Sequence, residues 1–361
     1  MMASSVSGEF DMPAIAAPAI DSDYLVECLT AMLDIPSPSL HGEAMAAWLM
    51  PRLEAHGLEV TTTARGDLLA ALPDDRPRRA ITAHLDTLGA MVVGYRPDGR
   101  LAIRPIGHWN ARFAPGARVR VHGDDGGIRA WGTLLPEKAS GHVYNEAVDA
   151  QPSDWAHIAL RLDVNDTSQA GLASLGIGVG SLVSIDAQTV VTDTGFINAR
   201  HLDNKAAIAC VLAALQSGAA TPGTRLLVSC AEELGVGLTA PMIEGIEEVL
   251  NLDIAAQGEG QNVCHDGVTV AMMDSLGPLH PLATQRVLQL CQRHDIPHAR
   301  DCFPFYFCDG DSAAKAGQDL RNALACFGAD ASHGWERVHV DSLVALARLV
   351  AVWWQHTERA G

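Results

Sequence analysis

The spacing of apolar residues changes character three times along the chain. From Asp21, "DSDYLVECLTAML" repeats at helical spacing behind a capping Asp21 or Ser22, and "HGEAMAAWLMPRLEAHG" predicts a second helix closed by Gly57. "LEVTTTARGDLLAAL" and "RRAITAHLD" read as two strand-like stretches, the second ending at His84–Asp86. From Gly89 the rhythm shortens. "GRLAIRPIG", "GARVRVHGDDGGIRAWGTLL", "WAHIALRLDV" and "GSLVSIDA" are short alternating strands separated by glycines and Asp-Gly signals, with a helix expected only at "SQAGLASLG". At "ARHLDNKAAIACVLAALQSG" helical spacing returns, and Lys205–Leu215 is apolar almost all round, which predicts a buried helix. Then βα alternation resumes, with strands "TRLLVSCA", "EEVLNLDIA" and "VTVAMMDS" and helices "PLATQRVLQLCQRHD" and "DSLVALARLVAVWWQ". In the last helix Leu343, Leu346, Val350, Trp353 and Trp354 share one face.

This order predicts an α/β fold: a mixed-sheet α/β/α domain over residues 21–88 and 195–361, interrupted by a mainly-β insert at 89–194 and preceded by a flexible tail at 1–20. At 361 residues the chain is long enough for two such units. A net charge of −18 argues against nucleic acid or an anionic membrane as the main partner and suits a binder of cations. No run of about 18 apolar residues predicts a membrane span, and the N-terminal stretch lacks the basic start of a signal peptide. The eight cysteines include no C-x-x-C pair, so a thiolate zinc site is not expected. Cys210 and Cys230 sit in apolar runs and read as buried free thiols, which suits a reducing cytoplasm.

In open α/β sheets, ligands bind at the carboxyl ends of strands. Four clusters fall at expected strand ends or helix starts: "AHLD" (His84, Asp86), "LDNK" (Asp203), "AEELG" (Glu232, Glu233) and "NLDI" (Asp253). A fifth, "ASHGWERVH" (His333), precedes the last helix. Two imidazoles and several carboxylates suit a pair of zinc or cobalt ions, which at about 3.5–4 Å apart can share a carboxylate and clamp a water. Each piece alone has a plainer explanation. Asp203 reads equally as a helix cap, Asp253 as a turn residue, His84 and His333 as structural or surface histidines, and the paired glutamates as a solvated turn.

Taken together, "ITAHLDTLGAMV", "INARHLDNKAAIACVL", "VSCAEELGVG", "VLNLDIA" and "DASHGWERV" resemble, in order, the motifs of the dinuclear metallo-aminopeptidases, closest to the glutamyl (tetrahedral) aminopeptidase family. The 119-residue interval from His84 to Asp203 holds a whole inserted domain, as in that family and in the aspartyl aminopeptidases. The resemblance covers roughly residues 25–355 and makes residues 21–88 and 195–361 the catalytic domain and 89–194 a dimerisation or oligomerisation domain. It implies two divalent metal ions, zinc first, with cobalt or manganese as alternatives. Asp203 bridges them, His84 and Asp253 complete one site, and Glu233 and His333 the other. Glu232 is the general base toward the bridging water, and Asp86 orients His84 through its other ring nitrogen. The sequence departs from the family's common pattern after the bridging residue, reading Asp203–Asn204–Lys205. Further stretches, "LLPEKASGHVYNEAVDAQPSDW", "GQNVCHDGVTVAMMD" and "DGDSAAKAGQDLRNALACFGADASHGWERVH", resemble the subgroup associated with gene clusters for the osmoprotectant N-acetylglutaminylglutamine amide.

The expected activity is hydrolysis of N-terminal residues from short peptides by a homo-oligomer, such as a dodecamer built from dimers. Two alternatives stay open: an amidohydrolase or deacylase acting on a small acylated dipeptide-like metabolite, and a non-catalytic peptidase-like binding protein. Among other residues, Asp309 and Asp311 in "CDGDSAA" are candidates to line the substrate pocket, with a helix cap as the other reading of Asp311. His201 and His339 read as structural, "CHDG" as a turn, and "ASGHVYNEAVD" as a loop that reaches a neighbouring subunit. "GEGQ" lacks the context of a phosphate loop.

Overall fold

Strands buried at almost every position form the middle of the molecule, a computed structural model that describes residues 17–73, 75–239 and 242–356. Helices α1 (Ser22–Leu33) and α2 (Glu43–Ala55) lead into β1 (Glu59–Thr62), β2 (Leu68–Ala71) and β3 (Arg79–His84). The chain then leaves the sheet for β4 (Gly89–Tyr95), β5 (Leu101–Ile106), β6 (Arg118–His122), β7 (Ile128–Pro136), β8 (Ile158–Leu162) and β9 (Leu182–Ile185), with the short helices α3 (Gly141–Tyr144) and α4 (Gln169–Ser174) between them. It returns through β10 (Val190–Val191), β11 (Phe196–Ala199), α5 (Leu202–Gln216), β12 (Thr224–Ser229), β13 (Glu248–Gln257), β14 (Val268–Asp274) and β15 (Gly277–Pro278). The last elements are α6 (Pro281–Arg293), β16 (His298–Cys302), α7 (Asp309–Lys315), β17 (Arg321–Asp330), β18 (Glu336–His339) and α8 (Val340–Gln355).

The large sheet runs β1-β2-β12-β3-β13-β17-β18-β11-β10, with β14 also on β17 and carrying β15 and β16. Its centre is parallel: β12 on β3, β3 on β13, β13 on β17. Such a sheet needs cover on both faces, so its strands read as continuous apolar runs. Alternation shows which residue meets which layer. Ile81, Val228, Leu250, Leu252 and Phe327 face the core built with α1, α5 and α8. Ala80, Leu227 and Val249 face the other layer, packed on Leu238, Met242, Ile246 and Ala313 of α7. Helix α5 is buried from Leu202 to Leu215, as its all-round apolar sequence predicts, and Trp353 and Trp354 of α8 are fully enclosed.

Strands β4-β5-β8-β7-β6-β9 close into a barrel around Val92, Leu101, Val119, Leu134, Leu160 and Val183. The mixed α/β fold with a small barrel-like insert is thus the expected one. Details differ. "LEVTTTARGDLLAAL" is a two-stranded antiparallel pair rather than one stretch. Strand β17, absent from the sequence-based strands, pairs with β13 over ten residues; its Ala, Cys and Gly content hides it, and tertiary pairing overrides weak β-propensity. The barrel's last strand ends at Ile185, whereas β10, inside the expected 89–194 insert, pairs with β11 at the edge of the large sheet. Of the expected tail, Ala17 and Ile20 pack against the main core, and residues 1–16 lie outside the described residues. Among the described residues no helix is long and apolar enough to cross a membrane.

Candidate metal centre

The parallel strands stop at different heights and open a crevice at their carboxyl ends. His84 is the last residue of β3. Glu232 and Glu233 start the 3-10 turn that follows β12. The ladder between β3 and β13 ends at Asn251, so Asp253 projects two residues beyond it. Asp203 sits at the start of α5, where Asp203 and Asn204 have non-helical backbone angles and share a cis peptide bond. No side chain caps this helix, so Asp203 is free of the capping role its sequence also allowed. His333 lies in the β17–β18 loop with φ +56°.

The side chains of His84, Asp203, Glu233, Asp253 and His333 converge. His84 Nε2 is 3.0 Å from Asp203 Oδ1, and His333 Nε2 is 3.3 Å from Asp203 Oδ2 and 3.4 Å from Glu233 Oε2. Two groups result, His84–Asp203–Asp253 and Asp203–Glu233–His333, each with potential ligand atoms within 4.8 Å of one another, and Asp203 belongs to both. Buried Glu233 Oε1 has no hydrogen-bond partner among the described residues. An orphaned carboxylate oxygen inside a nitrogen and oxygen donor set fits a divalent cation. Glu232 belongs to neither group; its Oε2 lies 3.8 Å from His84 Nε2, and its side chain is 17% exposed against 2% for Glu233.

Two further buried carboxylates hold the backbone beneath these groups. Asp86 accepts hydrogen bonds from the main-chain N–H of Glu232 (3.1 Å) and Glu233 (3.2 Å) and from Ser39 Oγ (2.6 Å). Glu336 accepts from the main-chain N–H of Asp203 (3.2 Å) and His333 (2.9 Å). Asp86 also faces the second ring nitrogen of His84: its carboxylate stands 3.5 Å from Nδ1, and its main-chain carbonyl accepts from that nitrogen at 3.0 Å. His333 Nδ1 likewise donates to the carbonyl of His108 at 2.8 Å. Each imidazole thus has its Nδ1 proton fixed by main chain and its Nε2 turned into the centre.

The electrostatics describe a site short of positive charge. Burial pushes Glu233 up to about 8, with Asp203 adding and His333 opposing, and burial pushes Asp253 up to about 7, with Asp203 adding. Burial also holds Glu232 well above the usual carboxylate range. For Asp203, burial is overcome by hydrogen bonds from His333 and His84, which hold it below that range. Burial would lower His333, but Glu233 and Asp203 raise it to about 11. In the same way the hydrogen bonds of Asp203 and Asp86 outweigh burial at His84 and hold it well above its usual value. A cation would relieve the repulsion among these acids.

The cavity, about 470 Å³, is lined by Asp203, Glu232, Glu233, Asp253 and His333, by His108 at the end of the barrel side, and by Gly235, Ile254, Ala256, Phe305, Tyr306, Phe307 and Ser332. Asp309 and Asp311 are not in that lining, which corrects their expected place. Asp309 accepts from Ser229 Oγ (2.5 Å) and Thr82 Oγ1 (3.2 Å) behind the centre. Asp311 instead forms a capping box with Cys308 at the start of α7, so its cap reading is the structural one. It packs with Asp274 and Cys308 in a third acidic group, where burial and Asp311 push Asp274 up to about 7. His201 is buried, bonded to the Ile185 carbonyl and lowered to about 3 by desolvation; His339 caps α8. Lys205, at the departure from the family pattern, is buried and donates to the carbonyls of Met32 and Ile35, tying α5 to the end of α1. Glu336 and His108 escaped sequence reasoning. Only the position of Glu336, three residues past His333, offered a signal.

Comparison with known proteins adds to this geometry. The family model described as M42 glutamyl aminopeptidase matches residues 66–349. The chain is 33% identical over 332 residues to YhfE of Bacillus subtilis (strain 168), named as an aminopeptidase, and the match covers 90% of this chain and 95% of that protein. Aminopeptidase APDkam598 from the archaeon Desulfurococcus kamchatkensis has a similar structure, with a TM-score of 0.82 at 17% identity, covering 93% of this chain and 96% of that one. The TET1 peptidase of Pyrococcus horikoshii, which can assemble into a tetrahedron or a large octahedral shell, is similar with a TM-score of 0.78 at 16% identity, covering 91% and 98%. At these identities the two structures bear on the fold.

Proposed function

The chain belongs to the M42 glutamyl aminopeptidase family of peptidases, and on that premise we propose that it removes N-terminal residues from short peptides with the help of two divalent metal ions. The observation that carries the reading is the unequal placement of two adjacent acids. Glu233 lies inside a His–carboxylate group with an unpartnered oxygen, whereas Glu232 stands outside both groups and lines the cavity. His84, Asp203 and Asp253 would hold one ion, and Asp203, Glu233 and His333 the other, zinc first, with cobalt or manganese as alternatives. Such ions, when bound, supply Lewis-acid polarisation of the scissile carbonyl and lower the pKa of water.

The chain's own residues do the rest. Glu232 takes the proton of the attacking water and hands it to the leaving amide nitrogen; it stands outside both groups, so its carboxylate is free to do so. Asp86 and Glu336 fix the backbone from which Glu232, Glu233, Asp203 and His333 project. Ring nitrogens of His84 and His333 are held in one tautomer by main-chain carbonyls.

We assign residues 21–88 and 195–361 to catalysis and the insert at 89–194 to assembly as a homo-oligomer, such as a dodecamer built from dimers. Support comes from the assembly of the similar TET1 peptidase and from the exposed segment around Val143 and Tyr144 in the insert. Light scattering on the purified protein tests this. The link to osmoprotectant metabolism rests on the sequence stretches quoted above. Matched peptides with free and acetylated N-termini, assayed with zinc, cobalt and manganese, test the activity. Cleavage confined to free N-termini is expected; preference for acetylated substrates would replace the reading with an amidohydrolase acting on an acylated dipeptide-like metabolite.

A further inference from the structure

Resting on the aminopeptidase reading, we infer that the aromatic loop between β16 and α7, set against the carboxylate centre, selects peptides whose first residue is large and apolar, aliphatic or aromatic, rather than acidic. The lining of the cavity has two chemistries. Its charged part is the centre itself. The remainder is dominated by Phe305, Tyr306 and Phe307, with Ile254 and Ala256 from β13.

The loop offers rings and little else. Tyr306 spends its hydroxyl on the main-chain carbonyl of Ile254 at 2.9 Å, so its polar end is occupied. The Phe303 and Tyr306 rings pack with centroids 5.0 Å apart, which steadies the loop. Gly235, at φ +72°, leaves room for the neighbouring ring: a Cβ there would come within 3.3 Å of Phe307. Phe305 is 95% exposed, an aromatic ring left in water at the edge of a cleft, and covering it with an apolar side chain is favourable.

Charge excludes the alternatives. No lysine or arginine is among the described residues lining the cavity. An acidic first residue would lose its hydration beside Asp203, Glu232, Glu233 and Asp253 with no cationic side chain in the lining to replace it. A basic first residue would find no carboxylate outside the catalytic groups. The ammonium of Lys315 lies 3.4 Å from the centroid of the Phe307 ring and is not in the lining, so an acidic substrate would have to recruit it from outside the cavity.

The test is kcat/KM of the metal-loaded protein on one peptide series differing only in the first residue: Leu, Phe, Ala, Glu and Lys. Leu and Phe are expected to exceed Ala by about tenfold or more, and Glu and Lys to fall below Ala. Phe305→Ala is expected to narrow the Leu-to-Ala ratio by about threefold to tenfold. Lys315→Met is expected to leave the order of the series unchanged. Preference for Glu, above all one lost in Lys315→Met, would overturn the inference while leaving the aminopeptidase reading intact, as would equal turnover of Leu and Ala. Failure to cleave any member of the series with zinc, cobalt or manganese would overturn both.

Discussion

Around one part of the cavity, buried acids hold the backbone that carries most of the carboxylates and imidazoles; in the other, an aromatic loop leaves Phe305 95% exposed. The polar part is held from beneath. Asp86 takes the amides of Glu232 and Glu233, and Glu336 takes those of Asp203 and His333, so four of the polar side chains project from backbone tied to a buried acid. The aromatic part is held at its base, through Tyr306 on Ile254, and open at its tip. The difference is what a peptidase requires. Bond cleavage demands groups fixed to within about 0.5 Å, whereas an apolar first residue only demands surface to cover.

The contrast makes perturbations of the polar part costly and those of the aromatic part mild. Asp203→Ala, which removes the residue common to both metal groups, is expected to abolish metal retention by elemental analysis and to lower turnover by more than about a thousandfold, about 4 kcal/mol. Glu336→Gln keeps the shape but weakens the hold on two amides; a loss of about 10- to 100-fold in metal affinity is expected by competition with a chelator. Unchanged affinity would mean the backbone there is fixed by other contacts.

A third expectation concerns pH. In the metal-free protein Glu233 is raised to about 8 and Asp253 to about 7 from ordinary values of 4.5 and 3.8. Between roughly those limits the folded chain therefore holds protons that the unfolded chain has released, so metal-free stability falls as pH rises toward 8. Metal must displace the same protons. Affinity should thus tighten from pH 6 to pH 8, and titration calorimetry in buffers of different ionisation heat should show proton release. The smallest effect belongs to the aromatic part. Tyr306→Phe removes the hydroxyl's bond to the Ile254 carbonyl and its longer contact with Cys326 Sγ, an expected cost of about 1 kcal/mol read as a slightly lower Tm, with metal content unchanged.

The sequence made the strand ends legible because charged residues interrupting apolar runs are conspicuous in one dimension. "AHLD", "AEELG" and "NLDI" stand out that way, and the all-round apolar stretch after Lys205 does likewise for the buried helix. What stayed hidden depends on three-dimensional partners. Strand β17 carries few β-branched residues and is a strand because β13 pairs with its whole length. Asp86 sits beside His84 in sequence, yet its carboxylate serves amides 146 and 147 residues away. Glu336 looks like an ordinary acid just past His333, and nothing in "CFPFYFC" reveals which ring is left in water.

The central claim is that two neighbouring acids have separate duties, Glu233 on metal and Glu232 off it. Glu232→Gln tests it most directly when metal content and turnover are measured on the same sample. Two ions per chain, as in the wild type, with turnover reduced by about a hundredfold to ten-thousandfold is the expected result. Near wild-type turnover, or loss of a metal ion, would contradict it.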